Sequence, residues 1–256
     1  MEGERADGGR EMTAPSRITL ISALAQSPEP ACSAMAEIWP EALVNNLVDD
    51  SLARDFAELG DMTPGIFERF MTLGRYAAQA RGARGATAGI LFTCSAFGPA
   101  IDRVKADLSI PVVAPNEGAF EEALDICRAV TGDGRIGLLL SFAGSLKPLS
   151  SEMLAMAAAR GQAAPEIVSG IAEGALEALQ SGDAERHDRL IIERAGRMPP
   201  TDVLIIGQFS MARAAPRVAS CRTEAVLTTP HAAVRKLRRL VEQTLAPVDQ
   251  MMARRA

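Results

Sequence analysis

The residues best suited to chemistry lie in one stretch, Thr93-Cys94-Ser95, where an apolar run ends and small polar groups begin. A cysteine set among hydroxyls can serve as nucleophile or acid/base, whereas a cysteine among aliphatic side chains is an inert small hydrophobe. For Cys32, Cys127 and Cys221 the inert role is the default expectation; Cys94 is set apart by its hydroxyl and glycine neighbours. Three further candidates stand apart from it. Asp49, with Asp50 and Ser51, follows an apolar run; such acids either cap a turn or bind an ammonium group or polarise a water. Arg54 nearby either pairs with these acids or clamps a carboxylate. His231 follows Pro230 at the end of another apolar run, where it either caps a helix or touches a ligand. His187, in the charged run DAERHDR, reads as part of a solvated helix face.

These residues need elements to hold them. Gly89–Phe92 predicts a strand, and Gly98-Pro99 followed by Ile101, Val104 and Leu108 predicts a helix, with Pro99 in the first turn where its missing N–H costs nothing. In an open parallel sheet, ligands bind just beyond the carboxyl ends of strands, so Cys94 is expected at a cleft. Strands are also predicted at Arg17–Ala23 (RITLISA), Leu43–Val48 and Pro111–Ala114, the last stopped by Pro115. Helices are predicted at Pro28–Ile38 and from Pro64 to Arg81.

The pattern then restarts. Arg135–Phe142 (RIGLLLSF) resembles RITLISA, and strands follow at Ile167–Ile171, Val203–Gly207 and Glu224–Thr229, the last stopped by Pro230 as the fourth is by Pro115. Laying GILFTCSAFG over VLIIGQFSMA sets Cys94 opposite Gln208 and Thr93 opposite Gly207. Two copies of one α/β unit are the simplest account. The predicted fold is therefore α/β, with two pseudo-symmetric Rossmann-like lobes. Each carries a four-stranded parallel sheet flanked by helices, and the active site lies in the interlobe cleft. The expected division is a disordered extension at 1–16, a first lobe of 17–115 plus 231–256, and a second lobe of 116–230. Met12, just before the first strand, is a candidate natural start.

Totals narrow the class. The chain has 256 residues, 48% of them hydrophobic, enough for a substantial core, and a formal net charge of −5, which disfavours a nucleic-acid partner. Its apolar runs are of strand length, so no membrane span is expected. The N-terminus lacks the apolar core of a signal peptide, and the four cysteines show no framework or metal spacing. They read as reduced thiols of a cytoplasmic protein. Without a glycine-rich phosphate loop or a histidine cluster, neither a nucleotide cofactor nor a metal is expected.

The duplicated layout, the strand leading to Thr93-Cys94-Ser95, the later strand leading to Gly207-Gln208, and Pro115 with Glu117 together resemble the cofactor-independent aspartate/glutamate racemase superfamily. That superfamily also holds hydantoin racemases, maleate isomerases and arylmalonate decarboxylases. The resemblance implies a small carboxylate substrate, a possible homodimer, and a thiol in each repeat on either side of the substrate α-carbon. Racemisation needs such a pair, because a proton leaves one face of a planar carbanion and another returns to the opposite face. Here Cys94 is the first group, and Gln208, which has no useful pKa, replaces the second. By the same resemblance Thr93, Ser95, Ser141, Ser145 and Ser210 supply oxyanion donors, reinforced by loop N–H groups before the helix at Pro99, which would also lower the pKa of Cys94. The expected function is a racemase-type isomerase acting at the α-carbon of a small carboxylic acid. A one-thiol lyase of the arylmalonate decarboxylase type and a ligand-binding protein that has lost the chemistry are the alternatives.

Overall fold

A computed structural model describes residues 15–25, 27–129 and 134–253, with side chains described up to 245. The expectation of disorder at 1–16 and the candidate start at Met12 therefore fall almost wholly outside the described residues. In chain order the elements are β1 (Arg17–Ser22), α1 (Pro28–Ile38), β2 (Leu43–Val48), α2 (Leu52–Leu59), α3 (Pro64–Gln79), β3 (Arg81–Gly82), β4 (Gly85–Phe92), α4 (Gly98–Asp107), β5 (Val112–Val113) and α5 (Glu117–Ala129). There follow β6 (Arg135–Leu140), α6 (Leu146–Ala159), β7 (Glu166–Ile171), α7 (Ala175–Gln180), α8 (Ala184–Arg197), β8 (Val203–Ile206), α9 (Ala215–Ala219), β9 (Ala225–Thr228) and α10 (Thr229–Ala253).

Two sheets form, and they repeat one topology. In the first, β2, β1, β4 and β5 run parallel in that order; in the second, β7, β6, β8 and β9 do the same. The first sheet departs from the expected four strands. Arg81–Gly82 folds back as β3, antiparallel to the start of β4, through a tight hairpin in which Gly85 takes φ +108°, a value that only glycine adopts easily. Register supports the overlay of the halves: Ile18 pairs with Gly89 and Ile136 with Val203, so Cys94 and Gln208 each lie five residues past equivalent rungs.

The central strands β1, β4, β6 and β8 are apolar and buried because helices cover both faces, as parallel sheets require. One side of the first sheet packs Ile21, Ile90 and Phe92 against α3 and α4; the other packs Ile18, Leu20 and Leu91 against α1 and α10. In the second lobe α5 and α6 cover Ile136, Leu138 and Leu140, while α8 and α9 cover Leu139, Leu204 and Ile206.

The chain crosses between lobes twice. It leaves β5 to form α5 on the second sheet, and it leaves β9 to form α10 on the first. The two crossing helices touch at Gly118, where an added Cβ would lie 2.3 Å from the Ala232 carbonyl oxygen. Beside this contact Glu117 pairs with Lys105 of α4 and Lys236 of α10, and Lys236 also pairs with Glu121. Lys236 and Leu237 are buried, so α10 from Arg235 to Arg239 is not the simple surface helix that its alternating charges suggest. Burial works against the Glu117 charge, but the two lysines overcome it and hold its carboxyl below the usual range.

Candidate active site

A cavity of about 1340 Å³ opens at the carboxyl ends of the strands. Its floor comes from both halves: Thr93, Cys94 and Ser95 beyond β4, and Gly207, Gln208 and Ser210 beyond β8. Of the residues predicted from sequence, these and His231 line it. Asp49, Ser141 and Ser145 do not.

Cys94 is half-buried and stands at the start of the 3₁₀ turn Ser95–Phe97 that leads into α4, with the Ala96 N–H near its sulfur. Burial pushes the Cys94 thiol up, and the Ala96 donor offsets this only in part. The expected lowering of its pKa is thus reversed, because one amide dipole does not balance removal of the thiolate from water. Beside it, Thr93 Oγ1 lies 2.8 Å from Ser22 Oγ at the end of β1, a buried hydroxyl pair that fixes the two central strand ends to each other.

The second half solves the same problem differently. Gly207 takes the place of Thr93 because a Cβ there would stand 2.6 Å from Leu140 Cδ2. Gln208, in the place of Cys94, turns its Oε1 to the end of β6, where it accepts from the Ser141 N–H at 2.7 Å and the Ser141 hydroxyl at 2.8 Å. Its Nε2 faces Ser145 Oγ at 3.5 Å. Ser141 is buried, so it and Ser145 orient Gln208 from behind and do not face the cavity.

Asp49 belongs to another cluster. Its carboxylate accepts from Arg69 of α3 at 2.6 Å and from Ser51 at 2.8 Å, so Arg69, not Arg54, supplies the cation. Burial raises the carboxyl and these donors lower it, with the lowering prevailing. His187 is fully buried rather than solvated: its Nδ1 sits 3.0 Å from Asp188 Oδ1, and its Nε2 has no partner among the described residues.

His231 is held on both ring nitrogens. Nδ1 lies 2.6 Å from Thr228 Oγ1 at the end of β9, and Nε2 lies 3.0 Å from Glu37 Oε2 on α1. Glu29, Ser33 and Glu37, spaced by four, form one polar stripe of α1 along the cavity. Thr228, Glu37 and Asn116 also line the cavity, and sequence reasoning did not single them out. The polar i, i+4 stripe on α1 is the signal that would have found Glu37. The far wall is apolar, built from Leu176 and Leu179 of α7 and Ala215, Pro216 and Ala219 of α9.

All four cysteines are free thiols. Among the described residues no group of three or more acidic, histidine or cysteine side chains is arranged to hold a metal, and no helix is long and apolar enough to cross a membrane.

No family model and no curated protein matches this sequence. Solved structures do match in fold. A glutamate racemase from Bacillus anthracis superposes with a TM-score of 0.62 at 14% identity, covering 90% of this chain and 83% of its own. An aspartate racemase homologue from Pyrococcus horikoshii gives 0.62 at 16% identity, covering 89% and 99%. Arylmalonate decarboxylase gives 0.52 at 15% identity, covering 88% and 92%. The chain thus has the two-lobed fold found in aspartate/glutamate racemases and in arylmalonate decarboxylase.

Proposed function

We propose that this chain is a cofactor-independent racemase-type enzyme that forms a carbanion beside the carboxylate of a small acid, with Cys94 exchanging the proton on one face. The observation that carries this reading is a single cleft floored by equivalent strand ends from two like lobes, with a thiol on one side. Two-sided access is what inversion at carbon requires. The developing negative charge would be met by Ser95, Ser210 and the N–H groups around the turn into α4, the oriented donors that stabilise enolate-like anions. The apolar wall of α7 and α9 gives room for a substituent larger than an amino-acid side chain, since ordinary small-molecule pockets occupy roughly 300–1,000 Å³.

A second reading, a lyase in which Cys94 delivers a proton to a carbanion left by decarboxylation, is favoured by the upward shift of the Cys94 thiol. Such a thiol is protonated at neutral pH and suited to donation. One experiment tests both. The full chain is incubated in D₂O with aspartate, glutamate, 2-phenylpropionate and phenylmalonate, and proton NMR follows deuterium entering the α-position. Cys94→Ala is expected to cut incorporation by about 10²–10⁴-fold, the usual weight of a positioned acid/base. Undiminished incorporation in a folded variant would reject the role.

A further inference from the structure

On the second side of the cleft stands Gln208, whose carbonyl oxygen is occupied by both donors of Ser141. An amide so held neither takes up nor gives up a proton at neutral pH. The adjacent strand supplies what Gln208 lacks. Thr228 closes β9 at the rung of Ile206, two residues before Gln208, and it lines the same cavity as Cys94. Behind Thr228 the polar chain continues through His231 to Glu37, at 2.6 and 3.0 Å. Thr228 and His231 come from β9 and α10, and Glu37 comes from α1 beneath the other sheet, so the chain of contacts closes only when the halves are apposed.

We propose that Thr228, His231 and Glu37 form the second acid/base of the reaction, with the Thr228 hydroxyl meeting the substrate and His231 storing the proton behind it. This rests on the carbanion reading above and extends it to the face opposite Cys94. With His231 protonated, Nε2–H donates to the Glu37 carboxylate and Nδ1–H donates to Thr228 Oγ1, which frees the hydroxyl hydrogen for the cavity. A carbanion takes that hydrogen as the Nδ1 proton moves to Oγ1. One C–H bond forms, one N–H bond breaks, the Thr228 O–H is regenerated, and His231 becomes neutral, its remaining hydrogen staying on Nε2 and donated to the Glu37 carboxylate.

In the reverse direction Oγ1 accepts the α-proton while its own passes to Nδ1. After one inversion Cys94 and His231 have exchanged protonation states, and turnover in the other direction or solvent resets them. The neighbouring charges do not compete for His231: Arg235 is paired with Glu122, Lys236 with Glu117 and Glu121, and Arg238 with Glu41 and Glu242. Because the Glu37 side chain is 61% exposed, its part is to orient the imidazole rather than to supply a strong buried charge. Thr228 is therefore the catalytic residue of the set, and His231 and Glu37 act through it.

The test separates exchange from inversion. Enantiopure aspartate, glutamate and 2-phenylpropionate are incubated with the full chain in D₂O; NMR reads loss of the α-hydrogen and chiral chromatography reads inversion. Thr228→Val and His231→Gln are expected to lose inversion at least 100-fold. They should still wash out the α-hydrogen of the enantiomer that presents it to Cys94. Thr228→Ser should restore inversion relative to Thr228→Val, and Glu37→Gln should slow it 3- to 10-fold. Inversion at the wild-type rate in Thr228→Val and His231→Gln, with Cys94→Ala inactive, overturns the relay alone. Joint loss of exchange and inversion that Thr228→Ser does not relieve also overturns it. Turnover that survives Cys94→Ala overturns the carbanion reading and the relay with it.

Discussion

Cys94 shows how much a single residue's surroundings decide. The protein packed around its sulfur disfavours the thiolate more than the nearby Ala96 N–H favours it, so the thiol titrates above an ordinary one. Alkylation of Cys94 by iodoacetamide, measured against pH, should therefore reach half-rate at a higher pH than alkylation of a free thiol such as N-acetylcysteine in the same buffer. A midpoint at or below that of the free thiol would contradict the burial argument. Ser141 offers a second residue-scale test. Ser141→Ala removes one of the two hydrogen bonds that hold Gln208 Oε1, a loss of about 1 kcal/mol in stability. A melting temperature unchanged from wild type would show that Gln208 finds another partner. The position of Cys94 was readable from sequence because polarity changes abruptly at Thr93. The direction of its pKa shift was not, because that depends on how much protein lies around the sulfur in three dimensions. Asp49 was misjudged for a related reason: its cation, Arg69, comes from the face of α3 twenty residues on.

At the level of elements, and among the described residues, periodicity and punctuation located the eight parallel strands, all but the start of β4 to within two residues, and three of the ten helices, α1, α3 and α4. Pro28–Ile38 and Leu43–Val48 coincide with α1 and β2, since Pro starts the helix and an apolar run bounds the strand. The short α2 is not among the helices predicted from sequence: Leu52–Leu59 (LARDFAEL) spans only about two turns, although Leu52 is fully buried and Ala53 and Phe56 pack against the first core. The hairpin of β3 was missed for want of side-chain pattern in two residues. His187 lies inside because α8, though rich in charge, buries one face at i, i+4 spacing, His187 with Ile191 and Ala195, and the run DAERHDR alone is too short to show it. Element packing gives its own prediction. Gly118→Ala would press a methyl group into the Ala232 carbonyl, and backbone cannot yield as a flexible side chain does. A cost of about 1–3 kcal/mol is expected from urea unfolding. An unchanged midpoint would mean that α5 and α10 can slide apart freely.

On the scale of the whole molecule, the duplication was legible because RITLISA and RIGLLLSF repeat one pattern and because Pro115 and Pro230 end equivalent strands. The residues that join the halves were not legible, since Glu37 and His231 are 194 positions apart in sequence. The ion cluster of Glu117, Lys105 and Lys236 predicts acid sensitivity. Folded Glu117 stays ionised to lower pH than it does in the unfolded chain, so the unfolded state binds more protons as pH falls. The cluster's stabilisation is present above the unfolded carboxyl range and is lost as pH falls through the folded value. Urea midpoints should decline over that window, and Glu117→Gln should flatten the decline; an equal slope in both proteins would assign the acid sensitivity elsewhere.

The two interlobe crossings lie side by side at Gly118 and Ala232, clamped by Lys236. The halves are also joined where Phe209, just past Gln208, shares a core with Ala31 and Met35 of α1 beside the cavity. Two separate seams thus stitch the pieces together, and each would have to part before the opening could widen.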